Sequence, residues 1–181
     1  MLRSLRVPAE DLIVQFARGH RDQRNIATHM VGVPMVVFGC AVLLARGHLG
    51  FAASGLSLAW LAWCAATLWA VSRGHLLLGL AVSAGTALLF ALAHLASSGP
   101  LAQTLGWGLG FVLGGAAIQW LGHCYEGRRS AWLDELHGLL AAPLFVAAEV
   151  LFALGLAQGL RHAVERRAGP TVLRDLAHPA A

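Results

Sequence analysis

Apolar residues fall into five blocks, at roughly 30–45, 49–71, 76–96, 101–121 and 139–157, with short polar interruptions between them. A membrane-crossing helix needs about 20 predominantly apolar residues. Blocks two, three and four meet that length, and block one does if its helix extends back toward Asn25. Block five is shorter, contains Pro143 and carries Glu149 near its middle. The separators "RGH", "SRGH" and "SSGP" fit tight helical hairpins. Ahead of the blocks, residues 8–19 ("PAEDLIVQFARG") place Leu12, Ile13 and Phe16 on one stripe and Glu10, Asp11 and Arg18 elsewhere. That pattern predicts a short amphipathic helix that could lie on a membrane surface. No repeat is visible and nothing reads as a strand. The expected fold class is all-α: a polytopic membrane helical bundle. It has about four transmembrane helices, an amphipathic N-terminal helix, and a re-entrant or surface-packed C-terminal apolar helix. Residues 1–160 form one membrane-embedded domain, and 161–181 read as a polar, flexible tail.

Composition sharpens this picture. Of 181 residues, 57% are hydrophobic and 12% charged, and mean hydropathy is +0.66, far from the roughly one-quarter charged residues of soluble domains. The basic residues are all arginine, clustered at Arg3 to Arg24, Arg128–Arg129 and Arg161 to Arg174. In so apolar a chain they read as membrane-edge charges, and a nucleic-acid partner is excluded. With the N-terminus in the cytoplasm, four spans return the 122–138 loop and the turn at Arg73 to that side, and only Arg46 lies outside. A fifth full span would carry Arg161, Arg166, Arg167 and Arg174 outward, against the positive-inside trend. Cys40, Cys64 and Cys124 have neither metal nor disulfide spacing, and no cleavable signal peptide is recognisable. The Gly-rich run "GWGLGFVLGGAA" suits close helix packing, within one chain or between chains of a homo-oligomer.

Two polar constellations stand at the edges of these blocks. In "GHRDQRNIATHMVGVP", Asp22 is placed to cap a helix whose first turn is Gln23-Arg24-Asn25. Asn25 and His29 then stack at i and i+4, and His20 lies in the preceding turn, able to fold back. Pro34, with Gly32 beside it, is expected to kink or loosen the helix below His29. In "QWLGHCYEGRR", Gln119, His123 and Glu126 share a helix face at the end of block four. The four-span topology brings both segments to one membrane face. Glu149, an ionisable residue in an apolar run, is a third candidate there. The other six histidines read as interfacial or hydrogen-bonded residues. Spacing alone leaves open whether the convergent histidines hold a metal or act as structural polar glue.

The order His20, Asn25, His29, Gly32, Pro34, then Gln119, Gly122, His123, then "EGRR", then "APLFVAAE" ending at Glu149, resembles the Mpo1-like family. The resemblance runs from about residue 10 to 157. It departs at Arg21, where many members have a second histidine, at Asp22-Gln23, where members often have Asn-Pro, and at Ser130-Ala131, often Pro-Ala. The resemblance implies a small multi-span membrane protein acting as an Fe(II)-dependent dioxygenase of fatty acid α-oxidation. Such an enzyme converts a 2-hydroxy fatty acid, with O2 as co-substrate, to the acid one carbon shorter plus CO2. It implies His20, His29 and His123 as metal ligands, with Asn25, Glu126 and Glu149 at matching polar positions.

This chemistry suits the residues. Imidazole and carboxylate ligands with open positions accept non-haem Fe(II), and Arg128 or Arg129 could pair with a substrate carboxylate. A site at the cytoplasmic membrane face would meet the head group of a fatty acid whose tail lies among membrane lipid. The rival class is a non-catalytic transporter or assembly protein with a structural histidine cluster. A transporter predicts a polar pathway, and blocks two and three are nearly free of polar side chains. A haem carrier would place paired histidines within facing spans, and these lie near helix ends. The clustered HxxxH and HxxHH motifs of di-iron lipid hydroxylases are absent.

Overall fold

The computed structural model describes residues 7–49, 56–126 and 136–175. Seven helices account for most of them: α1 (Ala9–Arg18), α2 (Gln23–Ala45), α3 (Leu58–Val71), α4 (Leu76–Ala96), α5 (Leu101–Glu126), α6 (Leu136–Ala153) and α7 (Gln158–Ala168). Helices α2, α4 and α5 are long and apolar enough to cross a membrane. The bent pair α6–α7, turning through 117°, brings the number to as many as four. Block two differs from its expected form. Its first residues make a short antiparallel pair, β1 (His48–Leu49) with β2 (Leu56–Ser57), so the expectation of no strand is corrected. The Ser57 hydroxyl then accepts from Trp60 N at 3.3 Å and starts α3 at Leu58. That leaves 14 helical residues, about 21 Å of helix. α3 nonetheless runs between the same two ends as its neighbours: Leu58 N donates to Gly47 O, and Ala9 N donates to Arg73 O at the other end.

The α2–α5 pair is the closest in the bundle. A Cβ added to Gly32 would lie 2.7 Å from Gly115 O, and one on Gly39 would lie 2.6 Å from Gly108 O. Only hydrogen side chains let the two backbones meet, the usual solution where lipid supplies no hydrophobic drive. Gly32 therefore serves close packing. α2 continues unbroken from Gln23 to Ala45 through Pro34.

α1 also differs from its surface-helix expectation. Leu12, Ile13, Val14 and Ala17 are buried in a cluster with Leu144, Phe145, Ala148 and Leu151 of α6 and Leu160 and Val164 of α7. Its apolar stripe is buried by protein. α6 starts deep: Leu140 and Pro143 line a small cavity with Thr67 of α3 and Ser83 and Thr86 of α4, midway along those helices. It then packs against α1 and turns through 117° into α7, the geometry of a broken span or a re-entrant segment. The flexible tail expected from residue 161 is corrected as far as Asp175. α7 buries Leu160, Ala163 and Val164, and residues 169–174 bond to the segment Arg21–Arg24 and to Glu126.

Candidate metal centre

α1 ends at Arg18, Gly19 caps it, and His20 follows immediately. The His20 ring stacks on Phe16 at 4.1 Å between centroids, and its Nδ1–H donates to Phe16 O at 2.7 Å. Asp22 then caps α2 as expected, accepting from Arg24 N at 2.9 Å. One turn in, His29 Nδ1–H donates to Asn25 O at 2.9 Å. A carbonyl can only accept, so the ring proton of each histidine sits on Nδ1 and each Nε2 presents a bare lone pair. Those two Nε2 atoms face each other at 3.2 Å. Two acceptors at that distance repel unless a cation lies between them. Two metal–nitrogen bonds of about 2.1 Å, at angles near tetrahedral or somewhat less, span about 3.0–3.4 Å.

His123, in the last turn of α5, completes the group. Its ring centroid lies 5.1 Å from that of His20 and 5.0 Å from that of His29. One nitrogen from each of the three lies within 4.8 Å of the others. All three side chains are buried, walled by Phe16 and Phe145. Burial, and then the neighbouring His29, lower the His20 pKa to about 3, so the ring stays neutral and able to ligate. The donor chemistry fits a transition-metal ion.

Glu126 holds the frame around this group. It is 1% exposed. Its Oε2 accepts from Arg21 N at 3.0 Å, Asp22 N at 2.9 Å and Asn25 Nδ2 at 3.2 Å, and its Oε1 from Arg174 at 2.7 Å. It thereby joins the His20 turn, the first turn of α2 and the end of α5. It is not among the clustered donors. Asn25 works in the same frame, donating also to Gly19 O at 3.3 Å, while its buried Oδ1 has no hydrogen-bond partner. Asp22 accepts from the Arg24 side chain as well, and that hydrogen bond holds its carboxyl well below the usual range.

Glu149 is not among the clustered donors. It lines a cavity of about 190 Å³ with Arg21, Arg161, Glu165 and Thr171, so the structure joins it to the residue that follows His20 and not to the three rings. Arg128 and Arg129 lie outside the described residues. His94 sits at the opposite end of the bundle, its Nε2 2.8 Å from Ser57 Oγ and its ring stacked on Trp60. His48, His75 and His162 also stand apart from the cluster, while the His137 side chain and His178 lie outside the described residues. Sequence reasoning missed Arg174, because a polar segment after the last apolar block carries no sign of where it docks.

Long apolar helices with three buried histidines converging at one end define a polytopic helical bundle of membrane type with a candidate metal centre. The chain belongs to the Mpo1-like family: the family model described as 2-hydroxy-palmitic acid dioxygenase Mpo1-like matches residues 8–154. That match contains His20, Asn25, His29, His123, Glu126 and Glu149, and ends before α7. No curated protein and no solved structure matches the chain.

Proposed function

We propose that this protein is an Fe(II)-dependent dioxygenase that converts 2-hydroxy fatty acids to the fatty acid one carbon shorter. The observation that carries the reading is the pair of opposed Nε2 atoms of His20 and His29, 3.2 Å apart beside His123, in a chain of this family. The reaction balances without an external reductant: R–CH(OH)–COOH and O2 become R–COOH, CO2 and H2O. The bond between the carbinol carbon and the carboxyl carbon breaks, and the substrate itself supplies the four electrons that O2 accepts.

His20, His29 and His123 would hold the iron, which when bound supplies the reactivity toward O2 that the side chains lack. The chain's own groups organise the site. The carbonyls of Phe16 and Asn25 fix the ring orientation of His20 and His29 by accepting their Nδ1 protons, as ligating imidazoles generally require. Phe16 and Phe145 keep water from the buried face of the rings. Glu126 and Asn25 hold the histidine-bearing segments in register. We assign the substrate carboxylate to Arg128, which would orient the 2-hydroxyl toward the centre. The arginine bias supports a cytoplasmic position for this end, where a fatty acid head group would lie with its tail in lipid.

The test is anaerobic loading of the purified protein with Fe(II), then 2-hydroxypalmitate and O2, with mass spectrometry of the products. The acid one carbon shorter should appear, and His29→Ala should abolish it along with metal binding. Bound iron without product would reject this substrate class. A protein that takes up no metal would leave the histidines as structural glue in a non-catalytic membrane protein.

A further inference from the structure

Residues 169–175 lie beyond the family match, yet they are laced to the segment that carries His20. Val172 pairs with Asp22 in a parallel bridge: Val172 N donates to Arg21 O at 2.8 Å, and Gln23 N to Val172 O at 2.9 Å. Arg174 N donates to Asp22 Oδ2 at 2.9 Å, and Arg24 donates to Arg174 O at 2.7 Å. The buried Arg21 guanidinium reaches back to Gly169 O and Thr171 Oγ1, both at 2.9 Å. This strap therefore holds the α2 side of the turn between α1 and α2, from Arg21 to Arg24.

Its charge matters as much as its backbone. Glu126 is a carboxylate with 1% of its side chain exposed, and its ion pair with the Arg174 guanidinium is 2.7 Å long. An uncompensated charge at that depth is costly. The Oε2 of Glu126 fixes the backbone directly after His20 and the side chain of Asn25, whose carbonyl orients His29. Glu126 itself lies three residues after His123 on α5. Losing the guanidinium would thus disturb all three histidine-bearing segments at once.

We propose that the C-terminal strap, residues 169–175, is a positioning element of the histidine centre, with Arg174 acting through Glu126 to keep the three ligands in register. The proposal rests on the metal-binding reading above. Its test uses the full-length protein in detergent, titrated anaerobically with Co(II). Affinity is read by competition with a chelator, and ligand geometry from the absorption bands of the bound ion. Arg174→Ala should lower Co(II) affinity about tenfold to a hundredfold, the range for losing a group that orients a ligand, and should shift the bands. Arg174→Lys, which keeps a cation, should restore most of the affinity. Leu173→Ala, at an exposed position of the same strap, should change neither.

Coupling separates this role from general stabilisation. In a Glu126→Gln protein, where no buried charge needs an arginine, adding Arg174→Ala should have little further effect. If Arg174→Ala alone does not fold, Glu126→Gln should restore its folding. Fully additive losses, misfolding that persists in the double variant, or wild-type affinity and spectrum in Arg174→Ala would each overturn the proposal. If the unaltered protein binds no Co(II), the metal reading falls and the strap proposal with it. If it binds and Arg174→Ala binds equally, only the strap proposal falls.

Discussion

His20 and His29 show how much the site depends on single atoms. Neither ring could ligate if its proton sat on Nε2, and the carbonyls of Phe16 and Asn25 settle the matter by accepting from Nδ1. The i, i+4 spacing of Asn25 and His29 made the second of these partners legible in sequence. The first was not, because it depends on how the chain turns at Gly19. Gly122 is a second decisive position. A Cβ there would overlap Thr28 Oγ1 and come within 2.6 Å of Asn25 Oδ1. Gly122→Ala should therefore force α5 away from α2 beside His123, costing about 1–3 kcal/mol and weakening metal binding. Gly110→Ala, with nothing within 4 Å of the added atom, should do neither. Thermal unfolding in detergent and metal titration of the two variants check this, and equal behaviour would discount the close approach.

At the scale of elements, α1 connects core packing to chemistry. Its Phe16 stacks on His20 just beyond its end, and Ile13, with no exposed surface, anchors it against α6 and α7. Ile13→Ala should cost about 2–5 kcal/mol and should loosen the Phe16–His20 stack enough to reduce metal affinity. Unchanged affinity in a measurably destabilised protein would show that the site is indifferent to how firmly α1 is seated. The amphipathic pattern of α1 was plain in sequence, but amphipathicity names a face without naming its partner. The same limit explains α3. An apolar run of 23 residues reads as one span, whereas the cap at Ser57 begins the helix nine residues in and diverts Leu56–Ser57 into a strand pair.

The whole molecule has two unlike ends. One carries α1, the histidine cluster, α7, the strap and most of the described arginines. The other carries Arg46, which donates to Gly99 O at 2.7 Å and Thr104 Oγ1 at 3.2 Å, together with the Ser57–His94 pair. Because both described chain ends, near residues 7 and 175, belong to the first, reporter tags at the two termini should report the same side of the membrane. The arginine bias predicts that this side is the cytoplasm. A cysteine introduced at exposed His48 should be labelled from the opposite side. Termini on opposite sides would overturn this orientation and require α6–α7 to form a complete crossing.

The order and length of the apolar blocks, the cap at Asp22 and the register of Asn25 with His29 and of His123 with Glu126 were determined by the sequence alone. Each is a local property of helix period, helix capping or hydrophobic length. The meeting of His20, His29 and His123, foreseen only as a consequence of four antiparallel helices, acquired its geometry from the glycine contacts of α2 with α5. The remaining features were decided by tertiary structure. Glu149 shares a cavity with Arg21 and Arg161, Glu126 serves as a junction of segments, and Arg174 reaches a carboxylate 48 positions earlier in the chain. A polar side chain takes its role from the partner that desolvates or neutralises it, and that partner is set by how the helices pack.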